Sequence, residues 1–232
     1  MAKKKYIDLF AGCGGLSLGL FNTNLWEGVF AIEKSIDAFS TLKHNLITSN
    51  NHFDWPEWLP QTNHDVRKIT RKYESQLKNL RGEIDLIVGG PPCQGFSFAG
   101  KRRESDERNK LIESYVKFIR LVQPKIIFFE NVKGFTQGFK KNREKGRVYS
   151  DYVKKALRRE SKKFGYEGYD VYGELVDFSE YGIPQKRTRF ILIGIRRDLT
   201  REKIAPEFFF NDLRENKFQF LKSKKIKSSI SL

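Results

Sequence analysis

The stretch Asp8–Leu16 reads DLFAGCGGL, and it joins a short apolar run to a segment with helical character. Glycines at such a junction let the backbone approach a bound ligand closely. In an α/β sheet, the carboxyl ends of the strands form the edge where ligands bind. The stretch therefore favours an α/β fold with a ligand loop after its first strand, although a tight structural turn explains the glycines equally well.

Short apolar runs recur along the chain and alternate with stretches that have helical periodicity. These runs, predicted as strands, are Tyr6–Phe10, Gly28–Ile32, Ile84–Val88, Lys125–Phe129 and Arg189–Ile195. The predicted helices are Ile36–Ile47, Leu111–Val122 and Tyr152–Phe164. This alternation predicts a mostly parallel α/β sheet. Runs that are apolar on both faces, such as IDLIVGG, predict central strands covered by helices on both sides.

The composition suits one basic domain. The 232 residues, 39% of them hydrophobic, are enough for one buried core. Lys and Arg number 44 against 28 Asp and Glu, and the formal net charge of +16 favours a polyanionic partner over a merely solvated basic surface. Cys13 and Cys93 lack CxxC spacing, so neither disulfides nor a metal site is predicted. Without a signal-peptide pattern or a bilayer-length apolar stretch, we expect a cytoplasmic protein and no membrane partner.

The glycine loop departs from the dinucleotide fingerprint G-x-G-x-x-G, because Ser17 stands where the third glycine would fall. This departure argues against an NAD site. Glu33 ends the second predicted strand, where its carboxylate is suitably placed to accept hydrogen bonds from ribose hydroxyls. Cys13, within the loop, is expected to be a small packed residue and not a reactive one.

Cys93 follows another predicted strand, in the run IDLIVGGPPCQGFS from Ile84 to Ser97. Two prolines fix the backbone before it, and a rigid turn can hold a nucleophile in place with its sulfur exposed. A free thiol is little ionised at neutral pH, so this role needs a cation or a helix end that lowers the pKa of the thiol. A lone cysteine is usually inert, but this combination of strand and turn favours a nucleophile.

Four motifs, DLFAGCGG, GGPPCQGFS, FFENVKGF and YGIPQKRTRFILIGIR, occur in the order and approximate spacing found in DNA cytosine-5 methyltransferases. The chain from Tyr6 to Arg196 therefore resembles that family. The resemblance implies a Rossmann-like, S-adenosylmethionine-dependent methyltransferase fold: a mixed, mostly parallel sheet with helices on both faces. It also implies a restriction-modification methylase, or a subunit of one, working in a bacterial cytoplasm in association with the nucleoid.

The resemblance assigns the catalytic roles. Cys93 would attack carbon 6 of a cytosine flipped from the duplex, which makes carbon 5 nucleophilic. Glu130 would contact ring nitrogen 3 and the exocyclic amine and stabilise protonation there. Arg189 would reach the base oxygen 2, with Arg187 supporting the site or the DNA backbone, and the planar guanidinium suits both tasks. On the residues alone, Glu130 could instead cap the following turn.

The resemblance also implies a pocket for the methyl donor and a surface for DNA. The adenine amine would bond to Asp65, although this residue is nearly as well suited to cap the helix that follows. The other implied donor-binding residues are Phe10, Gly12, Gly15, Glu33, Val66, Pro92 and Leu111. The implied DNA-binding residues are Ser97, Lys101, Arg102, Arg103 and Gln185, of which the basic ones suit phosphate contacts.

Residues 1–200 are expected to form the catalytic domain, and residues 201–232 a linker or the start of a target-recognition region. Family members normally continue into such a region and then into a helix that returns to the donor pocket. We therefore expect double-stranded DNA as substrate and a second polypeptide that supplies target recognition, with a truncated gene product as the alternative. An RNA cytosine methyltransferase usually has a PPCQPFT-like turn instead of PPCQGFS, and an inactive DNA-binding fragment is the third possibility.

Overall fold

The computed structural model of the chain describes residues 2–92, 110–137, 140–141, 144–145, 148–160, 165–200 and 204–226. Its strands are β1 (Lys4–Leu9), β2 (Trp26–Ile32), β3 (Leu86–Gly89), β4 (Ile126–Val132), β5 (Lys140–Lys141), β6 (Glu144–Lys145), β7 (Tyr169–Asp177) and β8 (Thr188–Arg196). Its α-helices are α1 (Gly15–Phe21), α2 (Ile36–Leu42), α3 (Val66–Lys72), α4 (Glu74–Asn79), α5 (Lys110–Val122), α6 (Tyr149–Arg158), α7 (Arg197–Thr200), α8 (Glu207–Glu215) and α9 (Lys217–Ser223).

Six strands form one sheet in the order β2-β1-β3-β4-β8-β7. Strands β1 to β4 pair in parallel, whereas β8 is antiparallel to both β4 and β7. The expected mixed, mostly parallel sheet is therefore confirmed. The chain goes from β1 to β2 on one side and later to β3 on the other, and this reversal opens a crevice at the carboxyl ends of β1 and β3.

The two faces of the sheet are covered by different helices, because successive side chains of a strand point to opposite faces. On one face, Ile7, Ile87 and Ile127 pack in a core to which α3, α4, α5 and α6 contribute. On the other face, Tyr6 and Val88 pack with residues of α2 and the π-helical turn Lys43–Thr48. This arrangement places helices on both sides of the central strands, as the apolar runs predict.

The five strands predicted from sequence are all present, and the sheet contains a sixth, β7, that the apolar runs do not reveal. The predicted helix Leu111–Val122 corresponds to α5 and Tyr152–Phe164 to α6, which begins three residues earlier. Helix Ile36–Ile47 is α2 continued by the π-helical turn. Among the described residues, no helix is long and apolar enough to cross a membrane.

Helix α8 packs against the part of the sheet formed by β7 and β8, and α9 follows it in the chain. Phe210 of α8 is fully buried and contacts the ring of Tyr172. Arg214 of α8 pairs with Glu174 of β7. Helix α8 thus shares a core with β7 and β8.

Candidate active site

The loop between β1 and α1 has an unusual backbone. Phe10 has a φ of 60°, and Gly12 and Gly14 have φ values of 56° and 89°. A residue other than glycine in this left-handed region costs roughly 1–2 kcal/mol, so the surrounding structure must hold Phe10 there. A Cβ at Gly14 would lie 2.9 Å from Leu46 Cδ1, which adds a packing reason for that glycine. The backbone therefore turns sharply at the carboxyl end of β1.

Glu33 connects this loop to the end of β2. Its Oε2 accepts a hydrogen bond of 2.9 Å from the Gly12 N–H, and its Oε1 accepts one of 2.7 Å from the Ser35 N–H. A carboxylate oxygen has two lone pairs, so both oxygens can accept further hydrogen bonds. Glu33 thus lies beside the glycine loop at the strand end, as the sequence predicts.

A buried hydrogen bond below the loop was not expected from the sequence. The Ser17 hydroxyl donates to Asp8 Oδ2 at 2.7 Å, and both residues are fully buried. Burial raises the pKa of Asp8 to about 7. Glycine at position 17 would remove this bond, which gives a structural reason for serine at the position of the third glycine. In the sequence, the sign of this hydrogen bond is an acidic residue within an apolar strand, followed by a serine in the next helix.

The segment before α3 lies against the end of β2, because the His64 N–H donates to the Glu33 carbonyl at 2.6 Å. Asp65 caps α3: its Oδ1 accepts a 2.9 Å hydrogen bond from the Arg67 N–H. The Arg67 guanidinium also bonds to this carboxylate, at 2.8 Å for Oδ2, and lowers the pKa of Asp65. The capping function considered from sequence is therefore observed. Val66 is buried in the core below.

Glu130 and Arg189 form an ion pair across β4 and β8. Arg189 Nε lies 2.8 Å from Glu130 Oε1, and the two side chains are about three-quarters buried. The register pairs Glu130 with Ile191 and Val132 with Arg189, so the two charged residues are diagonal neighbours on one face. The structure thus brings together two of the predicted catalytic residues.

The turn after β3 lies against this ion pair. A Cβ at Gly90 would lie 2.9 Å from Glu130 Oε2, so a side chain at this position would push the carboxylate out of its place. The buried Asn131 amide donates to the Pro91 carbonyl at 3.2 Å and fixes the turn from the same strand. Pro92 is exposed and precedes Cys93. The GGPP turn, Glu130 and Arg189 are therefore neighbours at the carboxyl edge of the sheet.

The remaining predicted site residues divide into described and undescribed ones. Gln185 and Arg187 are exposed on the loop that leads into β8. Leu111 is partly buried at the start of α5. The expectation that Cys13 is packed is wrong: it lies exposed in the glycine loop, where the chain turns outward. The predicted residues outside the described part of the chain are Cys93, Ser97, Lys101, Arg102 and Arg103.

The fold and the site together define a Rossmann-like methyltransferase, and comparison with known proteins gives the family. The family model of C-5 cytosine-specific DNA methylases matches residues 4–231, so the chain belongs to that family. The Type II methyltransferase M.DdeI of Desulfomicrobium norvegicum is 35% identical over 202 residues, which are 86% of this chain and 43% of M.DdeI. M.XorII of Xanthomonas oryzae pv. oryzae is 35% identical over 199 residues, which are 83% of this chain and 41% of that relative.

A solved structure described as a DNA modification methyltransferase encoded within a prophage (E. coli) has the same fold. It is 30% identical to this chain with a TM-score of 0.62, and the match covers 85% of this chain and 48% of that one. The expected methyltransferase fold is thereby confirmed. The chain spans less than half the length of M.DdeI and M.XorII.

Proposed function

We propose that this chain carries the catalytic part of an enzyme that transfers a methyl group from S-adenosylmethionine to carbon 5 of cytosine in double-stranded DNA. The observation that carries the proposal is the contact between the GGPP turn and the Glu130–Arg189 pair. Membership of the family and the relatives named as Type II methyltransferases support a restriction-modification methylase.

The geometry of the glycine loop supports a donor pocket there. A Cβ placed at Gly12 or Gly15 would have no described atom within 4 Å, so no described side chain covers the loop at these two positions. Glu33, directly after β2, lies at one side of this loop, and Asp65 lies near the same end of β2. These residues fit the donor: Phe10, Gly12 and Gly15 would hold its methionine and adenosine portions, and Glu33 its ribose. When bound, S-adenosylmethionine supplies the electrophilic methyl group.

The protein side chains carry the remaining steps of the reaction. The Cys93 thiolate adds to carbon 6 of the flipped cytosine, while Glu130 stabilises a proton at ring nitrogen 3 and so offsets the developing charge. With S-adenosylmethionine bound, carbon 5 would take the methyl group from its sulfonium sulfur, which would leave as a thioether. Loss of the proton from carbon 5 restores the double bond and releases Cys93 as the leaving group.

Arg189 has two functions in this proposal. Its 2.8 Å contact with Glu130 fixes the orientation of the carboxylate before the base arrives. Its guanidinium has further N–H groups, which can donate to the base oxygen 2. Arg187 and Gln185, exposed on the adjacent loop, would contact the DNA backbone or support the site.

The two cysteines allow a matched test of the nucleophile. Cys93→Ser should abolish methyl transfer and retain donor binding, because a hydroxyl is far less ionised than a thiol, while Cys13→Ser should remain active. On duplex DNA containing 5-fluorocytosine, the unchanged chain should stay covalently attached, since fluorine cannot leave carbon 5 as a proton does. Substantial turnover by Cys93→Ser would show that the nucleophile is another group.

The substrate class is tested with labelled S-adenosylmethionine offered together with duplex DNA or transfer RNA, and with neither. The product nucleoside should be 5-methylcytosine from DNA. Transfer to RNA alone would replace the proposal with the RNA alternative.

The comparisons do not support two further predictions from sequence, a second polypeptide and a nucleoid-associated location. Assays with and without the product of a neighbouring reading frame test the second polypeptide.

A further inference from the structure

Helix α9 packs against the turn that leads into the Gln185–Arg189 segment. Gly182 in this turn has a φ of 85°, and a Cβ there would lie 2.6 Å from Ile226 Cγ2 and 3.3 Å from Leu221 Cδ2. The bare backbone of Gly182 is therefore what lets the end of α9 approach so closely.

The end of α9 is fixed by a Schellman motif. The Ile226 N–H donates to the Leu221 carbonyl at 2.9 Å, and the Lys225 N–H donates to the Lys222 carbonyl at 3.1 Å. Lys225 has the left-handed φ of 54° that this motif requires. The Leu221 and Ile226 side chains both lie beside Gly182, so the last turn of α9 has a defined position.

A second attachment holds the beginning of α9 to the same region. Lys217 Nζ lies 2.7 Å from a carboxylate oxygen of Glu180 and 5.7 Å from the ring centre of Tyr181. Glu180 and Tyr181 belong to the 3-10 turn Phe178–Tyr181, which precedes Gly182. Both ends of α9 are thus joined to the segment before β8.

This docking brings two groups of basic side chains to adjacent segments. The loop before β8 exposes Lys186 and Arg187, and the end of α9 exposes Lys222, Lys224 and Lys225. Lys186 and Arg187 directly precede Thr188 and Arg189 at the start of β8, and α9 docks on the turn before this loop. Clusters of exposed Lys and Arg side chains are typical of a surface that binds a polyanion.

We propose that Lys222, Lys224 and Lys225 bind phosphates of duplex DNA beside the flipped base, as a continuation of the surface formed by Lys186 and Arg187. The inference rests on the proposed action on DNA and adds a contact surface outside the four family motifs. Lysine contacts to phosphate position a duplex without reading its sequence. The contribution of this surface is therefore the same for unrelated duplexes.

The test measures the salt dependence of DNA binding by fluorescence anisotropy, on two duplexes of equal length and unrelated sequence. Each phosphate contact adds about 0.9 to the slope of log affinity against log salt. Changing Lys222, Lys224 and Lys225 together to Gln should reduce that slope by about two to three on both duplexes, since each lysine neutralises one phosphate. Circular dichroism and calorimetry with S-adenosylmethionine should be unchanged.

A charge-matched control removes three lysines elsewhere. Lys3 and Lys4 lie at the amino end of β1, and Lys72 ends α3. Their combined replacement by Gln changes the net charge by the same amount as the α9 variant. It should leave most of the slope of log affinity against log salt. If the α9 variant keeps the slope of the unchanged chain, these three lysines do not bind the phosphates and the proposed function stands. If the unchanged chain shows no salt-dependent DNA binding, both are wrong.

Discussion

At the residue scale, the candidate site contains an ion pair between two side chains that are far apart in the sequence. Glu130 and Arg189 are 59 positions apart in the printed sequence, yet they share one face of the sheet because β4 and β8 are antiparallel neighbours. The resemblance to the family predicts each residue separately. Their ion pair follows from the register of the two strands, which the residue pattern does not fix.

Replacement of Glu130 by Gln tests the acid function. The amide keeps the size of the side chain but cannot supply the proton, so we expect the methylation rate to fall by about 10²–10⁴-fold, the range of general acid–base catalysis. Donor affinity should be unchanged. Glu174→Gln is the matched control, because Glu174 is also a strand carboxylate paired with an arginine, Arg214. Single-turnover rates measure the effect, and a near-normal rate for Glu130→Gln would remove this residue from the proton step.

Asp8 should make the stability of the chain depend on pH. Burial raises its pKa to about 7, well above its ordinary value of 3.8, so the folded state binds the proton more tightly than the unfolded state. The stability that this provides is complete below pH 3.8 and is lost as the pH rises through about 7. Asp8→Asn removes the titration. Its stability relative to the unchanged chain should therefore rise by roughly 1.4 kcal/mol per pH unit at most between pH 5 and 7, and level off above.

Urea unfolding across this pH range measures that difference. Asp177→Asn is a flat control in this range, because hydrogen bonds from Ser179 lower the pKa of Asp177 below its ordinary value of 3.8, so its stability difference from the unchanged chain varies only at lower pH. A constant difference between Asp8→Asn and the unchanged chain from pH 5 to 8 would contradict the buried, protonated carboxyl.

At the scale of secondary-structure elements, the interior of the sheet could be predicted and its edge could not. The runs that became β3 and β4 are apolar on both faces, which is the pattern of buried parallel strands. Strand β7, at the end of the sheet, mixes buried Tyr169 and Val171 with partly exposed residues, and no apolar run marks it. Helix α8 was not predicted for a related reason: only one side of EFFFNDLRE is buried, through Phe210.

The docking of α9 can be tested at Gly182 with a second glycine as reference. Gly182→Ala should destabilise the fold, because its φ of 85° is unfavourable for alanine and the new Cβ meets Ile226. Gly82 has a φ of 86°, and a Cβ there would have no described atom within 4 Å, so Gly82→Ala shows the backbone cost alone, roughly 1–2 kcal/mol. Denaturant unfolding should give a larger loss for Gly182→Ala. Equal losses would mean that Ile226 does not pack there.

At the scale of the whole molecule, the proposed ligands meet the chain at one edge of the sheet. The glycine loop, the GGPP turn and the loop before β8 all follow or precede strands at that edge. The assignment of residues 201–232 as a linker or the start of a target-recognition region stays a prediction. Within them, α8 nevertheless packs on β7 and β8, and α9 docks on the turn before β8. A variant in α8 or α9 is therefore expected to affect the stability of the whole chain.

Donor binding should stabilise the whole fold, because Glu33 joins three elements that border the proposed pocket. Its carboxylate holds the glycine loop and Ser35, and its carbonyl holds the segment before α3. A ligand that binds only the folded state at 100 times its Kd adds about 2.7 kcal/mol to the free energy of unfolding. S-adenosylmethionine should therefore raise the Tm of the chain by several degrees, and NAD should not.

Glu33→Ala should lower the Tm without ligand and reduce the shift that S-adenosylmethionine produces, since the carboxylate that organises the loop is lost. Glu57→Ala, at an exposed position in the irregular segment before α3, should keep the full shift. Differential scanning fluorimetry over a series of ligand concentrations separates the two effects, because the unliganded Tm reports the structural loss and the concentration dependence reports affinity. A larger shift with NAD than with S-adenosylmethionine would overturn the donor assignment, and an undiminished shift in Glu33→Ala would remove Glu33 from the pocket.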